Sequence, residues 1–134
     1  MRDEQVRRYA RHILLPDVGG LGQTALLVAA AKLELREAEP LAELIAATYL
    51  GAGGVGTIVL PHATEAQRAD VAAHAPDSHV VSVEPPVEGR PGPKPVALAA
   101  TPPWWPGAAG DATALAFWRG GIAATAWMAD ATQR

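Results

Sequence analysis

The chain contains no cysteine and few aromatic residues. Its 134 residues include one Phe, two Tyr and four Trp, whereas Ala alone supplies 29. The absence of Cys excludes disulfides, thiolate-bound zinc, iron–sulfur clusters and a cysteine nucleophile. Because so much of the 49% hydrophobic content is Ala, the bulky core side chains must be mainly Leu, Val and Ile. We expect one domain, spanning residues 1–134, with one modest core.

The chain also lacks a long apolar run and a strong net charge. A net charge of −3 and a pI of about 5.7 predict no basic surface for nucleic acid. No run of about 18 apolar residues predicts a membrane span, and no secretory signal is evident at the start. The four histidines, His12, His62, His74 and His79, show no metal-ligand spacing. We therefore expect a cytoplasmic protein without metal or cofactor.

Hydrophobic periodicity predicts helices that alternate with short strands. Two N-terminal helices are predicted over 3–15 and 21–31, and strands over 32–36, 57–60, 79–83 and 95–101. Further helices are predicted over 40–50, 64–75 and 111–131, with Thr64 and Asp111 as N-caps. This alternation is typical of the α/β class. It predicts a small Rossmann-like, three-layer domain with a mostly parallel sheet of about four strands, preceded by two N-terminal helices.

The chain divides into four segments along its length. An N-terminal helical arm (1–31) precedes a βαβαβ core (32–84). A segment rich in Pro and Trp (85–110) contains eight of the twelve prolines and is predicted to be a strand with loops. A C-terminal helix (111–131) follows.

A glycine-rich run, Gly51–Gly56, matches the pattern G-x-G-x-x-G. In dinucleotide-binding proteins this pattern follows a strand and opens a helix, whose N-terminus then faces a pyrophosphate. Here a predicted helix precedes it and a short strand ending at Pro61 follows it. We interpret the run as a helix-to-strand turn, and a working phosphate loop remains the alternative.

Several pieces of the chain resemble the ThiF/MoeB/HesA family, the bacterial relatives of ubiquitin-activating enzymes. The segment Arg8-Tyr9-Ala10-Arg11-His12-Ile13-Leu14-Leu15-Pro16, with Gly19 and Gly22-Gln23, is similar to the family's opening R-Y-x-R-Q-I-x-L-P, then G and G-Q. The segment from Tyr49 to Ile58 resembles Y-L-A-x-A-G-V-G-T-I. Weaker similarities lie at 75–80, 96–101 and 121–126.

The resemblance also implies that the family's catalytic parts are missing. The family's glycine-rich ATP loop falls on Ala38, Glu39, Pro40 and Glu43, where no glycine remains and Pro40 lacks a backbone donor. Two carboxylates there would repel a triphosphate. The family's catalytic cysteine and zinc-binding cysteines have no counterpart in this chain. We therefore expect a degenerate nucleotide loop and no catalytic residue.

The resemblance thus favours a non-catalytic homologue that acts as a protein-interaction or regulatory subunit. It could form oligomers, or bind a full-length activating enzyme of this family or a ubiquitin-like protein. In active family dimers the second arginine of R-Y-x-R reaches the partner subunit's nucleotide site. Arg11 occupies that position, with Arg8 beside it, although both could instead form structural salt bridges. The alternatives are a nucleotide-binding adenylyltransferase-type enzyme, or a self-assembling subunit that uses the helical face around Ile122 and Trp127.

Five aromatic side chains are candidates for an interface, because Trp and Tyr are enriched in binding hot spots. They are Tyr9, Trp104, Trp105, Trp118 and Trp127. The alternative for the tryptophans is that they cover a core that is poor in bulky residues.

Overall fold

The computed structural model describes residues 1–10, 19–37, 40–83, 92–107 and 110–133. Within these residues the helices are α1 (Asp3–Arg8), α2 (Gly19–Val28), α3 (Leu41–Ala52), α4 (Glu65–Ala73) and α5 (Ala112–Thr132). The strands are β1 (Ala30–Lys32), β2 (Thr57–Val59), β3 (His79–Val81) and β4 (Lys94–Pro95). None of the helices in this part of the chain has both the length and the apolar character needed to cross a membrane.

The four strands form one parallel sheet in the order β3-β2-β1-β4. Ala31, Ile58 and Val80 are aligned across β1, β2 and β3, so their side chains share one face of the sheet. Ala31 and Ile58 are fully buried there. The fold is therefore a small α/β domain of the Rossmann-like type with helices before its first strand, which confirms the predicted class.

The core lies where the helices pack on the sheet. Leu50 of α3, Ile58 of β2 and Trp127 of α5 belong to one buried cluster. Helix α3 packs along α5 and also contacts α4. At Gly120 a Cβ atom would lie 2.5 Å from the backbone oxygen of Ala42. Glycine at this position therefore allows the close approach of α5 to α3.

Several predicted boundaries differ from the structure. β1 begins two residues earlier than predicted and ends at Lys32, and the alternation over 32–36 comes from an irregular segment. Leu35 has a φ of 51°, which no strand accommodates, yet Leu33 and Leu35 both pack against the core. An irregular segment can thus bury alternate side chains and imitate a strand.

The predicted ends of other elements also differ from the structure. β4 covers two residues, and 96–101 has no regular structure. Helix α1 ends at Arg8, and the rest of the predicted first helix lies mostly outside the described residues. Both predicted N-caps are confirmed: Thr64 and Gln67 form a reciprocal capping box, and the Asp111 carboxylate accepts hydrogen bonds from the N–H groups of residues 113 and 114.

Candidate functional site

A crevice lies at the carboxyl ends of β1 and β4. In open parallel sheets ligands bind at the carboxyl ends of the strands. The usual place is between two neighbouring strands from which the chain continues in opposite directions along the sheet. The cavity here has a volume of about 400 Å³. Charged side chains dominate its lining, which consists of Lys32, Glu34, Arg36, Glu37, Glu43, Pro95, Val96 and Leu98.

Helix α3 begins beside this crevice, and its first turn carries a carboxylate. Pro40 is the N-cap residue and offers no side-chain cap. Glu43 is only 8% exposed, and its Oε1 atom accepts a weak hydrogen bond of 3.4 Å from the backbone N–H of Glu37. A negative charge at a helix N-terminus is stabilised by the helix dipole. The chain therefore places an acidic side chain of its own at the helix end where a Rossmann-type site would receive a phosphate.

Three other charged side chains of the crevice, Lys32, Glu34 and Glu37, are paired within the chain. The Arg119 guanidinium reaches from α5 and donates to both carboxylate oxygens of Glu37, at 2.8 and 3.4 Å, and to the carbonyl oxygen of Ala99. The Lys32 ammonium lies 3.2 Å from Glu34, and His62 Nε2 lies 3.4 Å from the same carboxylate. The hydrogen bond from Lys32 lowers the pKa of Glu34 below its ordinary value. Within the described residues no group of three or more His, Asp or Glu could hold a metal ion.

Of the four predicted loop residues, Glu43 lines this crevice and Pro40 is the N-cap of α3. Ala38 and Glu39 lie outside the described residues, as does Arg11. Sequence reasoning did not identify Glu37 and Arg119, whose pairing joins positions far apart in the chain. Sequence spacing gives no signal for such a contact.

The glycine-rich run Gly51–Gly56 forms the turn between α3 and β2, as predicted. Helix α3 ends at Ala52, and Gly54 has a φ of 92°. The run leads into a strand, so it offers no helix N-terminus to a phosphate. At Gly56 a Cβ atom would lie 2.0 Å from the carbonyl oxygen of Leu27. The glycines therefore allow close packing of the turn against its neighbours. The alternative, a working phosphate loop, does not fit this geometry.

A second polar cluster attaches the N-terminus to the domain. We call it the Asp77 clamp, and it consists of Arg2, Gln5, Arg8, Tyr9 and Asp77. The Asp77 side chain is 2% exposed and accepts hydrogen bonds from Tyr9 Oη at 2.6 Å, Arg2 Nη2 at 3.1 Å and Gln5 Nε2 at 3.3 Å. Arg8 Nη1 also donates to this carboxylate. The carboxylate thus accepts bonds from four side chains.

The clamp shifts the pKa values of its members. Burial tends to raise the pKa of Asp77, but the hydrogen bonds from Tyr9, Arg8 and Gln5 outweigh it, so the pKa lies below the ordinary value. Burial and the hydrogen bond to Asp77 raise the pKa of Tyr9 to about 12. The hydrogen bond to Asp77 likewise raises the pKa of Arg8. Asp77 is therefore ionised and Tyr9 neutral at physiological pH.

The clamp adjoins the glycine turn through a buried glutamine. Gln23 is fully buried, and its Nε2 atom donates to the carbonyl oxygen of Gly53 at 2.9 Å. A Cβ at Gly54 would lie 2.5 Å from Gln23 Nε2 and 2.9 Å from the Tyr9 ring. Tyr9, Gln23 and Gly54 lie in different segments of the chain. In this chain they meet in one structural contact.

The five candidate interface aromatics divide into two groups. Tyr9 is 2% exposed and Trp127 is 6% exposed, with its Nε1 atom donating to the carbonyl oxygen of Lys94. These two side chains are therefore buried in the single chain, which for Trp127 matches the alternative that it covers the core. Trp104 is 67% exposed and lies edge-on to Trp118, with ring centres 6.0 Å apart. Trp105 lies beside it at 6.3 Å.

The chain matches no protein-family model, and no curated protein was found to match it.

Proposed function

We propose that this chain is a non-catalytic homologue of the ThiF/MoeB/HesA family that works by binding another protein. The observation that carries the proposal is the Glu43 carboxylate in the first turn of α3, with Pro40 as the N-cap. Nucleotide sites in Rossmann-type folds need free backbone N–H groups and positive potential at this point. Here the first turn presents a carboxylate instead.

Electrostatics give the size of this effect. A phosphate oxygen about 4 Å from a like charge costs on the order of 4 kcal/mol at an effective dielectric of about 20. Glu37 and Glu34 add further negative charge to the crevice, whereas Lys32 and Arg119 are already paired with those carboxylates. A triphosphate that recruited Lys32 or Arg119 would therefore have to compete with these ion pairs.

Nucleotide binding is the first test of the proposal. Calorimetric titration with ATP and with NAD should give no saturable heat, which corresponds to dissociation constants weaker than about 1 mM. The contrary outcome is micromolar binding that is weakened by Arg36→Ala, which removes a cation at the crevice, and unchanged by Arg7→Ala on the exposed part of α1. That pattern would favour the alternative of a nucleotide-binding enzyme domain.

The proposed partner is an active activating enzyme of the same family, and the resemblance supports Arg11 as the residue that reaches its nucleotide. Arg8 is paired with Asp77, which matches the alternative of a structural salt bridge, so the proposal rests on Arg11. The guanidinium of Arg11 suits a phosphate because it provides a planar, bidentate fork.

Co-purification with the full-length activating enzyme from the same genome tests this pairing. The proposal expects a complex whose adenylation rate falls at least tenfold with Arg11→Ala and stays within twofold with the neighbouring Arg7→Ala. If both variants behave like the unchanged chain, Arg11 has no role in trans. If no complex forms, the pairing with an activating enzyme is wrong.

A further inference from the structure

The charged side chains of the crevice at the carboxyl ends of β1 and β4 fall into two groups. Lys32, Glu34 and Glu37 are engaged in ion pairs within the chain. Two further charged side chains, Arg36 and Glu43, line the same crevice. In the described part of the chain, neither forms an ion pair with any residue, and they form none with each other. The crevice therefore holds one unpaired cation and one unpaired anion.

Glu43 is the anion, and its carboxylate has few partners for a buried charge. The residue is 8% exposed, and its Oε1 atom accepts only the long hydrogen bond of 3.4 Å from the N–H of Glu37. Among the described residues no donor is bonded to its second oxygen, Oε2. Because every fully buried side-chain oxygen in this part of the chain has a partner, Oε2 keeps contact with solvent, which reaches it through the crevice. A buried carboxylate in this position is stabilised when a cationic donor binds it.

Arg36 is the cation, and it lies on the segment that leaves β1. Its side chain is exposed at the mouth of the crevice. An unpaired guanidinium presents a planar pair of N–H groups that fits the two oxygens of a carboxylate. Arg36 thus offers a carboxylate site in the same crevice as the acceptor oxygen of Glu43.

The side of the crevice formed by β4 and the residues after it is apolar. Pro95, Val96 and Leu98 line it, and we call these three side chains the apolar wall. Val96 and Leu98 are half-buried, because they also pack against the core. An apolar group of a ligand placed against them would be removed from water. The crevice volume of about 400 Å³ is within the range of small-molecule sites.

We propose that the crevice binds a free α-amino acid with an apolar side chain, such as leucine. Glu43 accepts hydrogen bonds from the ammonium group, Arg36 donates to the carboxylate, and the side chain of the ligand lies against the apolar wall. A ligand with charges of one sign, whether a phosphate, a dicarboxylate or a diamine, would leave one of the two protein charges unmatched. This binding is independent of the function proposed above, since it needs neither an activating enzyme nor Arg11.

Titration of the full chain with L-leucine, followed by calorimetry, tests the site. We expect saturable binding with a dissociation constant below about 1 mM. Three analogues should each bind at least about tenfold more weakly. They are leucine amide, which lacks the carboxylate, N-acetyl-leucine, which lacks the ammonium charge, and glycine, which lacks the apolar side chain. The absence of saturable heat up to about 10 mM leucine, or an analogue that binds as tightly as leucine, overturns the proposal.

Two substitutions assign the two charges of the ligand to their partners. Glu43→Gln keeps the size of the side chain and removes its charge, so it should weaken leucine binding at least about tenfold. It should leave the binding of N-acetyl-leucine unchanged within about twofold, because that ligand has no ammonium to lose. Arg36→Gln should likewise weaken leucine binding and leave leucine amide unchanged. Nuclear magnetic resonance titration measures the weaker ligands.

Each substitution has a matched control. Glu65 also lies in the first turn of a helix, α4, but it is exposed and does not line the crevice, so Glu65→Gln controls for Glu43→Gln. Arg7→Gln, on the exposed part of α1, controls for Arg36→Gln. Circular dichroism should show all four variants folded, and the controls should bind leucine as the unchanged chain does. If Glu43→Gln and Arg36→Gln bind leucine like their controls, the proposed site is wrong; if Glu43→Gln does not fold, the three analogues on the unchanged chain decide the assignment.

Discussion

Replacing Gly56 with alanine should destabilise the domain by about 3 kcal/mol or more. The added Cβ would lie 2.0 Å from the carbonyl oxygen of Leu27. This oxygen is a backbone atom, so a change of side-chain rotamer cannot relieve the contact. The backbone of Gly56 is also held, because its N–H donates to the carbonyl oxygen of Leu26 at 2.9 Å. Relieving the contact would therefore break the connection between α2 and the start of β2.

Urea unfolding followed by circular dichroism measures this effect. Gly20→Ala is the matched control, since a Cβ there meets nothing within 4 Å. Because Gly20 lies in helix α2, that substitution should stabilise the domain by about 0.4–1 kcal/mol. If Gly56→Ala unfolds at the same urea concentration as the unchanged chain, the close packing of the glycine turn is wrong.

Replacing Asp77 with alanine should cost about 2–3 kcal/mol and release α1 from the domain. The substitution removes the carboxylate that accepts the hydrogen bond of the Tyr9 hydroxyl, and hydrogen bonds to charged groups contribute about 1.5–3 kcal/mol. Arg2 is largely exposed, so water screens its share of the loss. Hydrogen exchange should show faster exchange in α1, while Asp70→Ala, on the exposed side of α4, should change neither stability nor exchange.

The same cluster predicts a pH dependence. The pKa of Asp77 in the folded chain lies below its ordinary value of 3.8, so its ionised form favours folding. This contribution is fully present above pH 3.8 and is lost as the pH falls through the folded pKa. At the alkaline end, the pKa of Tyr9 is raised from 10 to about 12, so its contribution is present below pH 10 and is lost as the pH rises through 12.

The Asp77→Asn variant isolates the acid limb of this dependence. Its urea midpoint should lie below that of the unchanged chain at neutral pH, and the two should converge as the pH falls below 3.8. A constant difference between the two chains at every pH would mean that the charge of Asp77 does not contribute.

The parts of the fold that local chemistry determines could be predicted from the sequence. Two helix starts could be predicted because side chains near them cap backbone groups within three residues. These side chains are Thr64 with Gln67, and Asp111. The parallel sheet followed from helices alternating with strands. The predicted boundaries of β1 were wrong because Leu33 and Leu35 pack against the core although they lie in an irregular segment. Their alternating burial imitates a strand.

The candidate site could be predicted only in part, because some of its contacts join residues far apart in the sequence. Pro40 and Glu43 were found because they are close in sequence and fall on an expected loop. Arg119 and Asp77 act on groups 82 and 69 positions away, respectively, so only the folded chain reveals their pairing. The sequence made Tyr9 a candidate interface residue, and only the folded chain shows that its hydroxyl donates to Asp77.

The short strand β4 has a consequence for how the sheet can grow. Its pairing with β1 covers only Ala31↔Lys94 and Lys32↔Pro95, and prolines stand at 93 and 95. Proline has no N–H to offer to a further strand, and Lys94 between them carries a charge, so this edge is a poor template for strand addition. The domain is thus protected against edge-to-edge aggregation on that side.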